Sequence, residues 1–431
     1  MKRILAAFPT AWDRRQLDAC RGRWEDRYEV VFTEPSDEEC PADLDPRGWV
    51  EAAARRWDGR VDGVFSSSDY PGATLAAALA RRLGLPGPPA ATVMRCSHKY
   101  TSRIAQREAA PEATAGFWAV DARHPDAPLP PGLPFPCFVK PVKGAFSVLA
   151  QKVGSAEELR RFLARPQVAE FVNDYLAIFN RLVAWLTDFE LDGGWFLAEE
   201  LLAGEQATVE GWSAGGEIEV LGVGDSVLHP TTRSFLRFDY PSSLPPEVVG
   251  RMEEVTRRVI AHLGLEPSLF NVEMIWDPAS DRLAILEINP RLCGQFADLY
   301  EKVDGTNGYE VALALAAGER PRARRRKGAF AVAASVPLRV FEPVRVAAAP
   351  GDAECRAAEA LHPATLVWNE VAAGDELGDF LRLEDGQSHR YGVINLGAGD
   401  REDLLGRARQ VLDRLGYRFE PLAPPRRRDY G

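Results

Sequence analysis

Leu269-Phe270-Asn271-Val272-Glu273-Met274-Ile275-Trp276 and, beyond the turn Asp277-Pro278-Ala279-Ser280-Asp281, Arg282-Leu283-Ala284-Ile285-Leu286-Glu287-Ile288-Asn289 form the most informative stretch of the chain. Two apolar runs around a turn of Asp, Pro and Ser predict a β-hairpin. Alternate side chains of a strand share a face, so Asn271 lies with Glu273, and Glu287 with Asn289. Pairing the strands can gather all four. Two carboxylates and a carboxamide oxygen are hard ligands suited to Mg²⁺, which favours octahedral oxygen coordination and often bridges phosphates. The plainer reading is a solvated strand face. It must then accommodate Glu287 among Ile285, Leu286 and Ile288, where an idle charge is costly.

Working outward, residues 247–263 have the apolar period of an amphipathic helix, stopped by Gly264. Residues 209–223 read as a hairpin turning at Ala214-Gly215-Gly216, and 195–202 as a strand running into a turn at Gly204. Residues 166–190 look helical. The proline-rich stretch 125–136 leads into the apolar strand Cys137-Phe138-Val139-Lys140, which ends at Pro141. A helix over 92–109 carries Lys99 and Arg103. Before it, short strands at 4–8, 28–33 and 61–65 alternate with helices such as 72–83, the pattern of a parallel α/β sheet. Ser66-Ser67-Ser68-Asp69 falls at the carboxyl end of a strand, where such sheets bind ligands, and no G-x-G-x-x-G accompanies it. From residue 321 the chain shows short strands and one late helix, 401–415. There is no internal repeat.

Two further segments have chemical content. Lys140 is followed by Pro141-Val142-Lys143-Gly144-Ala145-Phe146-Ser147, a loop with one glycine and a small hydroxyl; with Lys99 upstream, it offers ammonium groups and backbone N–H groups to a nucleotide's phosphates. The run Phe196-Leu197-Ala198-Glu199-Glu200-Leu201-Leu202-Ala203-Gly204-Glu205-Gln206 leaves its sheet at the end of a strand. There it presents backbone polar groups and leucines to an adenine edge.

Composition narrows the classes. The 431 residues are 46% hydrophobic, enough for two to four structural units at about 100–200 residues each. Lys and Arg number 52 against 63 Asp and Glu, a net charge of -11, so the overall field repels nucleic acid and anionic lipid. Two basic runs, 322–327 and 426–428, read as a solvated loop and tail. Six scattered cysteines with no C-x-x-C read as reduced thiols. The N-terminus lacks the ~7–15 apolar residues of a signal peptide, and no run reaches the ~18 of a membrane span. A cytoplasmic location is expected.

Taken in order, N-V-E-M at 271–274 and L-E-I-N-P-R at 286–291, preceded by Lys140, Glu199-Glu200 and Gly204, resemble the ATP-grasp superfamily over nearly the whole chain. The resemblance implies α/β and α+β architecture: an N-terminal parallel α/β lobe (1–95), a linker helix and central lid lobe (96–202), a lobe bearing the metal hairpin (203–320) and a C-terminal α+β subdomain (321–431). It implies that Glu273, Glu287 and Asn289 hold Mg²⁺, or Mn²⁺ in its place, against the phosphates of ATP. Lys99, Lys140 and the loop residue Ser147 would contact those phosphates, and Glu199, Glu200 and Leu202 would form the adenine hinge. Gln206 stands where many relatives place a ribose-binding glutamate. Arg291, with Lys140, would stabilise the reacting acyl-phosphate. The C-terminal run Arg390-Tyr391-Gly392-Val393-Ile394 and the helix after it are similar to those of biotin-carboxylase-like and L-amino-acid ligase members. Ala145 and Phe146 depart from the family, whose phosphate loops usually carry glycines there.

The implied reaction joins a carboxylate, an amino acid or small carboxylic acid, to an amine through an acyl-phosphate, releasing ADP and phosphate. His229, Arg233 and Arg237 are candidate substrate contacts, an arginine being able to bind a carboxylate through two parallel bonds; for His229 ordinary loop packing competes. Segments 145–148 and 229–240 are expected to act as lids. The same nucleotide site would serve a carboxylate–thiol ligase, a carboxylase, or a nucleotide-binding regulator without turnover. Small molecules are the expected partners, with neither nucleic acid nor membrane, and a homodimer is expected by analogy.

Overall fold

The computed structural model describes residues 1–144, 148–232, 234–378 and 387–422. Its first lobe has a parallel three-stranded sheet in which Lys2–Ala6 lies between Tyr28–Phe32 and Gly63–Phe65. Helix Gly72–Leu83 follows the last of these. Its alanine-rich sequence favours the helix, and Gly84, at φ 67°, ends it in the left-handed conformation that suits glycine. The same device closes helix Pro246–Leu263. Proline sits in its first turn, Gly264 has φ 62°, and the buried face is Val248, Met252, Val255, Val259, Ile260 and Leu263.

The central lobe is an antiparallel sheet of Phe117–Asp121, Trp195–Glu200, Cys137–Pro141 and Gln151–Val153 in that order. An eight-stranded antiparallel sheet forms the largest layer. From one edge it runs Arg282–Asn289, Ser268–Asp277, Glu205–Ala214, Glu217–Leu228, Phe235–Tyr240, Val332–Val340, His389–Ala398 and Leu366–Asn369. Its last three strands lie beyond residue 321, so one sheet continues across that expected boundary. The late helix occupies Arg401–Leu415, as the periodicity predicts.

Two expectations are corrected. The helix expected over 92–109 is two helices, Ala90–Ser97 and Lys99–Ala109, divided at His98. No Gly or Pro causes the break. The backbone N–H of Lys99 donates to Val142 O at 2.7 Å, and the His98 ring bonds Thr101 N and Leu191 O. Burial pushes this imidazole down to about 4, which keeps it neutral in those roles. Residues 166–186 are helical as expected, in three consecutive pieces, Pro166–Glu170, Phe171–Tyr175 and Ala177–Leu186. The second expected lid, 229–240, is half strand: Phe235–Tyr240 is hydrogen-bonded on both sides within the large sheet. The first, 145–148, falls mostly outside the described residues.

Gly204 joins the central lobe to the large sheet. Its φ is 130°, and a Cβ there would lie 2.1 Å from Trp276 O, so only glycine lets the connecting chain lie this close to the strand Ser268–Asp277. Among the described residues, no helix is long and apolar enough to cross a membrane.

Candidate active site

The hairpin of Ser268–Asp277 and Arg282–Asn289 pairs Asn271 with Asn289 and Glu273 with Glu287, gathering the four polar side chains on one face. The next pair is Met274 with Ile285, so Leu286 is an extra residue, a β-bulge. The bulge re-aims a carbonyl: Leu286 O accepts from Arg103 Nη2 at 2.8 Å and lies 3.4 Å from Lys140 Nζ. Burial, together with the facing charge of Glu287, raises the Glu273 carboxyl above the usual carboxylate range, and Lys99 opposes the shift. Lys99 Nζ donates to Glu287 Oε1 at 2.8 Å and to Gly144 O at 3.0 Å. Asn289 directs its amide nitrogen at Asn271 Oδ1 (3.2 Å) and Glu273 Oε1 (3.4 Å), so its own oxygen points away from those contacts. Gln206 Nε2 donates to Glu273 Oε2 at 3.0 Å, which puts this side chain against the glutamate pair.

No group of three or more His, Cys, Asp or Glu side chains forms a metal cluster among the described residues. Two carboxylates and one carboxamide are too few to enclose a cation. They fit an ion such as Mg²⁺ that completes its octahedron with water and substrate phosphate, and the repulsion between Glu273 and Glu287 is what such an ion relieves.

Beside the hairpin lies a cluster of buried cations. Lys140, at the end of Cys137–Pro141, has Nζ 2.6 Å from Glu199 Oε2, while Arg103 bonds the other oxygen of Glu199. Burial alone would raise the Glu199 carboxyl, but Arg103 and Lys140 outweigh it and hold it below its ordinary range. Burial lowers the Lys140 ammonium. The side chain of Glu199 is therefore turned to the lysine cluster. Glu200 instead binds the N–H of Gly116 at 2.8 Å and pairs with Arg282. Leu201 is exposed and Leu202 half-buried where the chain leaves the sheet.

Two of the expected substrate residues, His229 and Arg237, are held elsewhere. His229 Nδ1 accepts from the N–H groups of Thr231 and Thr232, both at 3.3 Å, and its ring packs on Phe341 at 4.7 Å. This is the loop-packing role. Arg237 is held by both oxygens of Asp239, at 2.9 and 2.8 Å. Two strands separate its strand from Ser268–Asp277, roughly 14 Å at ~4.8 Å per strand. Arg233 and Ser147 lie outside the described residues.

Residues 133–298, which include the lysine strand, the hinge and the hairpin, match the ATP-grasp domain family. The chain carries an ATP-grasp domain. No curated protein matches it by sequence. Among solved structures, the L-amino acid ligase of Bacillus licheniformis is similar over 98% of this chain and 99% of that one, with a TM-score of 0.75 at 18% identity. Phosphoribosylglycinamide synthetase from Anaerococcus prevotii covers 98% and 100% with a TM-score of 0.63 at 14% identity. A biotin carboxylase from Campylobacter jejuni, solved as a complex with an ATP compound, covers 97% and 92% with a TM-score of 0.63 at 13% identity. At these identities the likeness is one of fold. It spans all the lobes, so the first lobe and the C-terminal subdomain belong to the same architecture as the ATP-grasp domain.

Glu210 and Asp69 also lie at the site, although neither is among the expected site residues. Glu210, on Glu205–Ala214, accepts from Asn271 Nδ2 at 2.7 Å, and burial pushes its carboxyl up to about 7. Its inward charge within Ala207-Thr208-Val209-Glu210 was a readable signal. Asp69 pairs with Lys143 and Arg291, and no local pattern announces that contact.

Proposed function

We propose that the protein is an ATP- and Mg²⁺-dependent ligase that joins a carboxylate to an amine and releases ADP and phosphate. The observation that carries this reading is the in-register pair Glu273 and Glu287 beside the buried ammonium groups of Lys99 and Lys140. Mg²⁺ bound by Glu273, Glu287 and Asn289 would neutralise phosphate charge and orient the phosphates. Lys99 and Lys140 exchange their carboxylate partners for phosphate oxygens, while the hinge at 200–204 receives the base. A substrate carboxylate oxygen then attacks the γ-phosphorus as the bond to ADP breaks. The amine attacks the resulting acyl-phosphate, loses a proton and displaces phosphate, with Arg291 facing the developing charge. Positioning and charge neutralisation account for these steps without a protein nucleophile.

The likeness in fold to an L-amino acid ligase makes amino acids the first substrates to test. With Mg²⁺-ATP and a panel of amino acids, singly and in pairs, phosphate release should depend on particular substrates, and the products should be amides by mass spectrometry. Chelation of the metal should stop release. ATP binding without any substrate-dependent turnover would favour a regulator instead.

A further inference from the structure

Asp69 belongs to the first lobe, yet its carboxylate closes on two cations of the ATP-grasp domain. Oδ2 lies 2.5 Å from Lys143 Nζ and Oδ1 lies 3.2 Å from Arg291 Nε. The Lys143 side chain is only 2% exposed, and among the described residues Asp69 is its one ion-pair partner. On Arg291, Asp69 takes Nε while Nη1 leans on Leu292 O at 3.4 Å. This orients the guanidinium through Nε and Nη1, and among the described residues Nη2 has no hydrogen-bond partner, so it remains for an anion. The carboxylate is itself set on a stiff turn. Ser68 N bonds Ser66 Oγ, Gly72 N bonds Ser68 Oγ, and Ala73 N bonds Ser68 O at 2.9 Å. A Cβ on Gly72 would lie 2.5 Å from Ser66 Oγ, so the turn admits little rearrangement.

We propose that Asp69 is a positioning residue for the reaction, holding Arg291 and Lys143 in the orientation that meets negative charge on the acyl-phosphate and making that orientation depend on the docked first lobe. The proposal rests on the ligase reading. A fixed donor acts on a transition state only if it is aligned beforehand, and misplacing such a group by about 1 Å can cost about 100-fold in rate. Asp69 touches neither nucleotide nor substrate in this account; its effect passes through the two cations.

The test measures substrate-dependent phosphate release and Mg²⁺-ADP binding by titration calorimetry for wild type, Asp69→Asn, Asp69→Glu, Arg291→Lys and the double variant Asp69→Asn with Arg291→Lys. Asp69→Asn should lower kcat about 100-fold while the KM for ATP and the affinity for ADP stay within about threefold. In the Arg291→Lys background the same change should cost less than about tenfold more, because residues acting as a unit are not additive. Asp69→Glu keeps a counter-ion for Lys143 and so guards against a folding failure of the asparagine variant; it should bind ADP normally and lose at least about tenfold in kcat. Release within threefold of wild type in both single variants, or an equal further loss in the Arg291→Lys background, overturns the proposal. Absence of release from wild type overturns the ligase reading, and the proposal with it, and is distinguished by occurring before any substitution.

Discussion

Glu287→Ala is expected to abolish turnover, lowering substrate-dependent ADP release by about 1,000-fold or more, equivalent to about 4 kcal/mol of transition-state stabilisation. The reason is local. Glu287 faces Glu273 across the hairpin, receives Lys99 at 2.8 Å, and shares its face with Asn289. Removing it leaves one carboxylate and one carboxamide of the proposed Mg²⁺ set. The fold should tolerate the change, since the lost group repelled Glu273 and burial with that repulsion had raised the Glu273 carboxyl. Glu287→Gln separates charge from volume: it keeps the size of the side chain and should lose as much activity. A coupled ADP assay with urea unfolding measures both sides, and activity retained by either variant would sink the metal assignment.

Lys140→Met should have the second largest effect, about 100-fold or more in kcat/KM for ATP, because it removes a buried ammonium from the proposed phosphate site. Here the structure also predicts a stability cost. Glu199 has 4% of its side chain exposed and depends on Lys140 and Arg103 for compensation. Losing one of the two cations should destabilise the fold by about 1–3 kcal/mol. The double variant Lys140→Met with Glu199→Gln removes the unpaired charge, so it should regain stability without regaining activity. If both properties recovered together, Lys140 would be a structural counter-ion only.

The hairpin was legible because alternation along a strand has period two, and Asn271, Glu273, Glu287 and Asn289 fall on that period within local sequence. The bulge at Leu286 left only a faint trace, the apolar neighbours Ile285 and Leu286, although it sets which carbonyl Arg103 and Lys140 meet. The helix break at His98 was hidden for a different reason. Its hydrogen bonds come from Leu191 and Val142, and local propensity contains neither. The hinge glutamates were placed by order in the chain, but the direction in which Glu199 turns depends on Arg103, 96 residues away. Arg237 looked free for a substrate because the sequence does not show that Asp239 would face it on the same strand side, although a spacing of two allows that. Asp69 lies 74 residues from Lys143 and 222 from Arg291, so only the folded chain joins them.

The most direct test of the central claim follows an oxygen atom. A carboxylate substrate labelled with ¹⁸O in both oxygens is incubated with the protein, Mg²⁺, ATP and the amine. Attack of the carboxylate on the γ-phosphorus requires one labelled oxygen to leave in the phosphate of each turnover, with the other retained in the amide. Mass spectrometry should therefore find singly labelled phosphate in proportion to ADP. Unlabelled phosphate, formed while ADP accumulates, would contradict the account.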